Sequence, residues 1–296
     1  MKLSKASTQR LTFLAFAAPA LVLIGLLLVY PLARLVQMSL SEVGIRNLLQ
    51  EWPFIGLENF GAVLDSDTVR SVIVQTLVFV AAVLIVTMIA GTAVALVLRS
   101  TRGFSVLTQT ILVLVWTMPA VIMGSLWKFL LTSDGAINRV AISLGLVDEP
   151  VPFLALPSTA LLSIVLVTIW VGVPFAALVI KSAILDVPDD VVNAARIDGA
   201  SAWQIFTHIV IPMIRPTLLI LGVLIVVGAF KAFDLIYVMT KGGPGSTSST
   251  LPFLGYITAF QDYRFDEAAA ISVISMGFVL LLAFSYMFAV RREQRA

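Results

Sequence analysis

Apolar residues in this sequence run on for whole stretches without the polar face that a water-bathed helix shows every few residues. Six stretches stay mostly apolar for about the 20 residues that a helix needs to cross a ~30 Å hydrocarbon core. They are Leu11–Tyr30, Val72–Leu98, Val106–Leu131, Ala160–Ile180, Pro216–Met239 and Ala268–Val290. The pattern predicts an all-α membrane protein with six transmembrane helices, a single domain over residues 1–296 without an evident internal repeat.

Composition agrees. Apolar residues make up 59% of the chain and charged residues 12%, half the ~25% usual in soluble domains. Mean hydropathy is +1.03. A soluble enzyme, a nucleic-acid-binding module and a disordered chain are excluded on that ground. The net charge of +2 points to no nucleic-acid partner, and the absence of cysteine removes disulfides, thiolate metal sites and cysteine nucleophiles.

Basic residues orient the spans, because Lys and Arg accumulate on the cytoplasmic side. With both termini inside, the inner pieces hold eleven: Lys2, Lys5, Arg10, Arg99, Arg102, Lys181, Arg196, Arg215, Arg291, Arg292 and Arg295. The outer pieces hold six: Arg34, Arg46, Arg70, Arg139, Lys241 and Arg264. A cleaved signal peptide is the alternative for the first stretch, but signal cores are only about 7–15 residues long. This run continues without a polar break to Arg34, so an uncleaved span is expected.

The connection from Lys181 to Arg215 is the one long inner loop. Pro188, Asp189 and Asp190 form a helix start, with carboxylates opposing the helix dipole, and Gly199 supplies a left-handed stop. Ser201 and Gln204 have the spacing of a capping box for a second helix, Ala202 to about Ile209, which Pro212 and Pro216 are expected to close. The loop thus encodes a helix–turn–helix exposing Trp203, Ile205 and Phe206. Such a surface suits either the headgroup region of the membrane or a cytoplasmic protein.

Asn193-Ala194-Ala195, three residues, Gly199, nine residues and Ile209-Val210-Ile211-Pro212 resemble the EAA loop of binding-protein-dependent ABC importer permeases. Asp198-Gly199-Ala200 is typical of their sugar branch; Asn193 stands in place of the glutamate and Ile211 in place of the leucine. Phe233-Asp234-Leu235-Ile236-Tyr237-Val238-Met239-Thr240-Lys241-Gly242-Gly243-Pro244 is similar to the fifth-span exit and external loop of maltose- and glycerol-phosphate-type permeases. Phe54-Ile55-Gly56-Leu57-Glu58-Asn59-Phe60 is similar to their first external loop. The resemblance implies the type I ABC importer permease fold in a bacterial or archaeal plasma membrane. It also implies a second permease, two ATP-binding subunits and an external solute-binding protein as partners. Coupling to the ATPase would fall to Asn193, Ala194, Ala195, Asp198, Gly199, Ala200, Trp203, Ile209 and Pro212, and Gly242, Gly243 and Pro244 would form the external loop.

The chain carries no phosphate-binding loop of the G-x-x-x-x-G-K-[ST] type. It is therefore expected to hold no cofactor and to be no enzyme by itself, with ATP and magnesium on the partner ATPase. His208 is the only histidine, and a surface-packed imidazole explains it.

Transporter sites gather near the midplane, where glycine or proline breaks a helix. Trp170-Val171-Gly172-Val173-Pro174-Phe175 predicts such a break in the fourth span, and Gly228, Lys231 and Asp234 mark the fifth. Lys231 falls ~22 Å beyond Pro216 and its i+3 neighbour Asp234 can pair with it on one face. That pair is either a structural ion pair or part of a site, and Lys128, near the end of the third span, is expected to snorkel. Trp170 and Phe175 suit a lipid-facing or core position as well as a sugar platform. The resemblance places the sugar of maltose-type importers against Thr168, Val171, Gly172, Phe175, Ile225, Gly228, Ala229 and Ala232. The competing class is an ion-coupled secondary transporter with Lys231 and Asp234 as relay.

Overall fold

A computed structural model describes residues 16–98 and 103–293. Lys2, Lys5, Arg10, Arg99, Arg102, Arg295 and the first five residues of the first expected span lie outside the described residues. The regular elements among the described residues are helices: α1 Phe16–Ser39, α2 Glu58–Asp65, α3 Asp67–Val97, α4 Gly103–Thr117, α5 Ala120–Leu130, α6 Ala136–Ser143, α7 Pro157–Leu185 and α8 Asp189–Ile197. Then follow α9 over 202–230, α10 Phe233–Met239, α11 Leu251–Phe260 and α12 Phe265–Glu293. Five helices among the described residues are long and apolar enough to span a membrane, and the bent pair α4–α5 makes a sixth.

Proline placement explains most departures from the expected spans. The first helix does not end at Tyr30 but continues to Ser39 past Pro31, and α9 does not end at Ile209 but continues past Pro212 and Pro216. In both, a π-turn stands immediately before the Xaa-Pro pair. The Tyr30 N–H reaches back five residues to Gly25 and the Ile211 N–H to Phe206. A proline ring collides with the carbonyl four residues earlier, and the widened turn makes room for it. Pro174 likewise lies inside an uninterrupted α7, so the break expected at Trp170–Phe175 is absent. The third span is the opposite case. It is not straight: Met118-Pro119 bends α4 against α5 by 99°, because the residue before a proline is pushed out of the helical region.

Contacts divide the chain into two units, Met1–Ser66 with Gly255–Ile274 and Asp67–Leu254 with Ser275–Ala296. In the first, the buried Asn59 side chain donates to the carbonyls of Ser39 (3.1 Å) and Ser41 (2.9 Å), tying α2 to the end of α1. Val43 and Asp266 exchange hydrogen bonds through the Val43 N–H and carbonyl, and Arg34 lies 4.0 Å over the Trp52 ring.

In the second unit, α3 and α7 pack through small residues. A Cβ on Gly91 would lie 2.7 Å from that of Ala176, and one on Gly172 would lie 3.3 Å from the Thr87 methyl. Small side chains let helix backbones approach where no water drives them together. One buried cluster joins Ala95 of α3, Ala176, Ile180 and Ile184 of α7, Val192 of α8, and Ile205, Val210, Ile214 and Leu221 of α9.

Candidate functional site

Two places gather the residues singled out from the sequence. The first is the turn between α8 and α9. The Ala200 N–H bonds the Ala195 carbonyl (2.9 Å) and the Gly199 N–H bonds that of Arg196 (3.1 Å). These are the paired bonds of a Schellman ending, with Asp198 at the C-cap and Gly199 at φ +83°. Ser201 and Gln204 form the reciprocal capping box. Val192 is buried and Ala195 is packed against the same cluster, so α8 is clamped to the ends of α7 and α9. Asn193, Ala194 and Asp198 face outward, and Asn193 accepts a hydrogen bond from Arg196 (3.2 Å). Trp203 is 71% exposed, and Ile197, which pattern reading passed over, is 87% exposed. Ile205 was expected at this surface but is buried, in the cluster that also holds Val192 of α8 and Val210 and Ile214 of α9. Ile209 is half-buried, Ala200 packs on the cluster and Pro212 is exposed.

The second place is a cavity of about 280 Å³. It collects Thr168, Val171, Gly172 and Phe175 from α7, Ile225, Gly228 and Ala229 from α9, Lys231 and Ala232 from the break after it, and Asp234 from α10. Val83 and Thr87 of α3, Trp116 of α4, Ala120 of α5, Leu224 of α9 and Leu235 of α10 complete the wall; periodicity alone does not mark them. Trp116 stacks on Phe175 with centroids 5.2 Å apart. Trp170 is not in the wall and meets Trp127 edge-on at 5.3 Å. Lys231 and Asp234 do not form the expected ion pair. The helix ends at Phe230 and restarts at Phe233, so i+3 spacing no longer brings them together, and both are exposed. A larger groove of about 540 Å³ between α3, α9 and α12 is aliphatic apart from Arg215, and offers little to a polar solute.

The outer halves of the two broken helices are joined. Gly124 of α5 admits Val238 of α10, where a Cβ would lie 3.2 Å from the valine Cβ, and Lys128 donates to the Val238 carbonyl (3.1 Å). Lys128 therefore binds protein instead of snorkelling. Beyond α10, Gly242 (φ +82°) has no room for a side chain between Ser249 Oγ and the Phe253 ring. The Gly243 carbonyl accepts from Ser248 Oγ (2.6 Å), and that of Pro244, after a cis bond, accepts from Thr247 Oγ1 (2.8 Å).

A bundle of membrane helices, a polar-edged cavity at two helix breaks and a rigid surface hairpin define the class of a membrane permease component. Residues 88–295 match the family model "Binding-protein-dependent transport system inner membrane component", and the chain belongs to that family. It is 32% identical to the trehalose/maltose transport system permease protein MalF of Thermococcus litoralis, over 81% of this chain and 80% of that one. It is 29% identical to the diacetylchitobiose uptake system permease protein DasB of Streptomyces coelicolor, over 93% and 85% respectively. A solved bacterial ABC transporter described as importing the acidic polysaccharide alginate has a chain of the same fold (TM-score 0.83, 23% identity, 97% and 98% covered).

Proposed function

We propose that the chain works as one permease domain of an ATP-driven importer, carrying a sugar or a related solute delivered by an external solute-binding protein. A second permease completes the pathway, and two ATP-binding subunits hold the ATP and magnesium. Relatives named for trehalose, maltose and diacetylchitobiose support a small oligosaccharide as solute. The ion-coupled alternative loses its footing, since the family is that of binding-protein-dependent transport and Lys231 and Asp234 are not paired.

The observation that carries the mechanism is the continuity of α9. It runs unbroken from the exposed Trp203 to Phe230, beside the cavity-lining Gly228 and Ala229, a distance of ~40 Å at 1.5 Å per residue. A push on the α8–α9 turn is thus delivered to the cavity wall by a rigid rod. Full burial of Val192 and Ile205 supplies roughly 1.5–3 kcal/mol each to hold that rod to α7 and α8. In the cavity, the Trp116–Phe175 pair offers an aromatic edge for the C–H faces of a pyranose, and Thr168, Lys231 and Asp234 offer groups for its hydroxyls.

The test is ATPase stimulation in the reconstituted complex with the cognate binding protein, screened over mono- and disaccharides, polyols and sugar phosphates. Stimulation by one such solute is expected. Hydrolysis indifferent to all of them, in a complex that transports another class of solute, refutes the substrate reading.

A further inference from the structure

We propose that the aliphatic groove between α3, α9 and α12 is a binding site for one phospholipid of the inner leaflet, its acyl chain lying along α9 and its phosphate held by Arg215. The proposal holds whatever solute the central cavity takes.

The groove has a volume of about 540 Å³, and all its walls belong to the second unit. Leu84 of α3 and Leu282 of α12 stand on its two sides, and α9 supplies a strip from Arg215 to Val227. Arg215 is its one polar side chain. Gly222 leaves the middle of the strip open. A Cβ there would make only an ordinary contact with Leu84, at 3.7 Å, so the space is not needed for helix packing.

Length and polarity fit a single leaflet. Arg215 is exposed and opens the fifth span at its cytoplasmic end. Val227, twelve residues on, lies ~18 Å deeper at 1.5 Å per residue, against ~15 Å for half of the hydrocarbon core. The cation therefore stands near the headgroups and the aliphatic strip reaches about the midplane. A guanidinium suits a phosphate there, since it can donate two parallel hydrogen bonds to it.

Width separates hydrocarbon from protein as the occupant. About 540 Å³ spread over ~18 Å is a channel ~30 Å² in section, or ~6 Å across. A helix with its side chains is ~10–12 Å across and does not fit, whereas an extended acyl chain does. The place matters for transport, because α9 gives Val226 and Val227 to this groove and Gly228 and Ala229 to the central cavity. The lipid thus backs the wall that faces the solute.

The experiment uses the complete transporter in phosphatidylethanolamine–phosphatidylglycerol vesicles. A trace of the phosphatidylglycerol carries a diazirine near the end of one acyl chain, and labelled positions are mapped by peptide mass spectrometry after illumination. We expect labelling concentrated on residues 222–227 and on Leu282. Gly222→Phe, which fills the groove, should cut it about tenfold, while Gly222→Ala, too small to fill it, should not. Arg215→Gln should cut it several-fold and Arg215→Lys should keep most of it, a comparison that decides the matter if Gly222→Phe does not assemble. Labelling spread evenly over the membrane helices and indifferent to these variants overturns the proposal. So does equal labelling by a diazirine-bearing fatty alcohol that lacks the phosphate. A Val223→Cys variant that cross-links to the second permease, with no lipid label in the groove, also overturns it by making the groove a subunit interface.

Discussion

The ammonium of Lys128 donates a hydrogen bond to the carbonyl oxygen of Val238, closing α5 on α10 beyond the cavity. Gly124, one turn before the lysine, makes the approach possible. Both helices are the far halves of spans broken at cavity level, at Met118-Pro119 and at Lys231-Ala232. Lys128→Met should loosen that closure. The chain has no cysteine, so a single Ala120→Cys reporter can read it: labelling by a membrane-impermeant thiol reagent should rise several-fold in the Lys128→Met background. Unchanged labelling would mean that the hydrogen bond does not hold the closure.

Gly199 tests the proposed coupling role of the α8–α9 turn by backbone conformation alone. Nothing lies within 4 Å of a Cβ built there, so a side chain fits, and only the φ of +83° resists it. Gly199→Val should cost ~1–2 kcal/mol or more and impair assembly with the ATPase, while Gly199→Asn, which tolerates this region, should be far milder. Co-purification of the ATPase with each variant is the measurement. Equal yields for valine and asparagine would remove the turn from the mechanism.

The α8–α9 turn was the most legible part of the site, because capping chemistry is local. Gly199, Ser201 and Gln204 each act through neighbours within three or four residues. What lay hidden depends on partners far along the chain. Hydropathy reads Val106–Leu131 as one apolar run, and only the geometry at Met118-Pro119 shows the 99° bend. Pro212 and Pro216 read as helix stops by propensity, yet the π-turn at Phe206–Val210 absorbs the first of them. Ile205 is buried by Val192, on the other arm of the hairpin, and by Val210 and Ile214 further along its own helix. The cavity residues of α7 and α9 were named through family resemblance, whereas Thr87 and Trp116 come from other helices and become visible only when the helices are packed.

The α3–α7 seam predicts a rescue. Gly91→Ala places a methyl 2.7 Å from the Ala176 Cβ, and overpacking of this kind costs ~1–3 kcal/mol. Ala176→Gly should restore much of the loss. The thermal midpoints of the two single variants and the double variant form the cycle, and strictly additive losses would show that the residues do not meet.

Asp234→Asn separates two roles for the charges beside the cavity. Because Lys231 and Asp234 are not paired, neutralising the aspartate should leave expression and thermal stability nearly unchanged while lowering solute uptake. A fall in stability with uptake retained would make Asp234 a structural residue.

Transport by this chain is held to be powered from outside it, through the apolar tip formed by Ile197 and Trp203. Disulfide cross-linking from an Ile197→Cys variant to a cysteine-scanned cognate ATPase, in native membranes, examines that directly. The account predicts a specific cross-link that arrests uptake and ATP hydrolysis together, with both restored on reduction. A transporter that remains fully active while position 197 meets no ATPase residue, its side chain reporting only lipid, would contradict it.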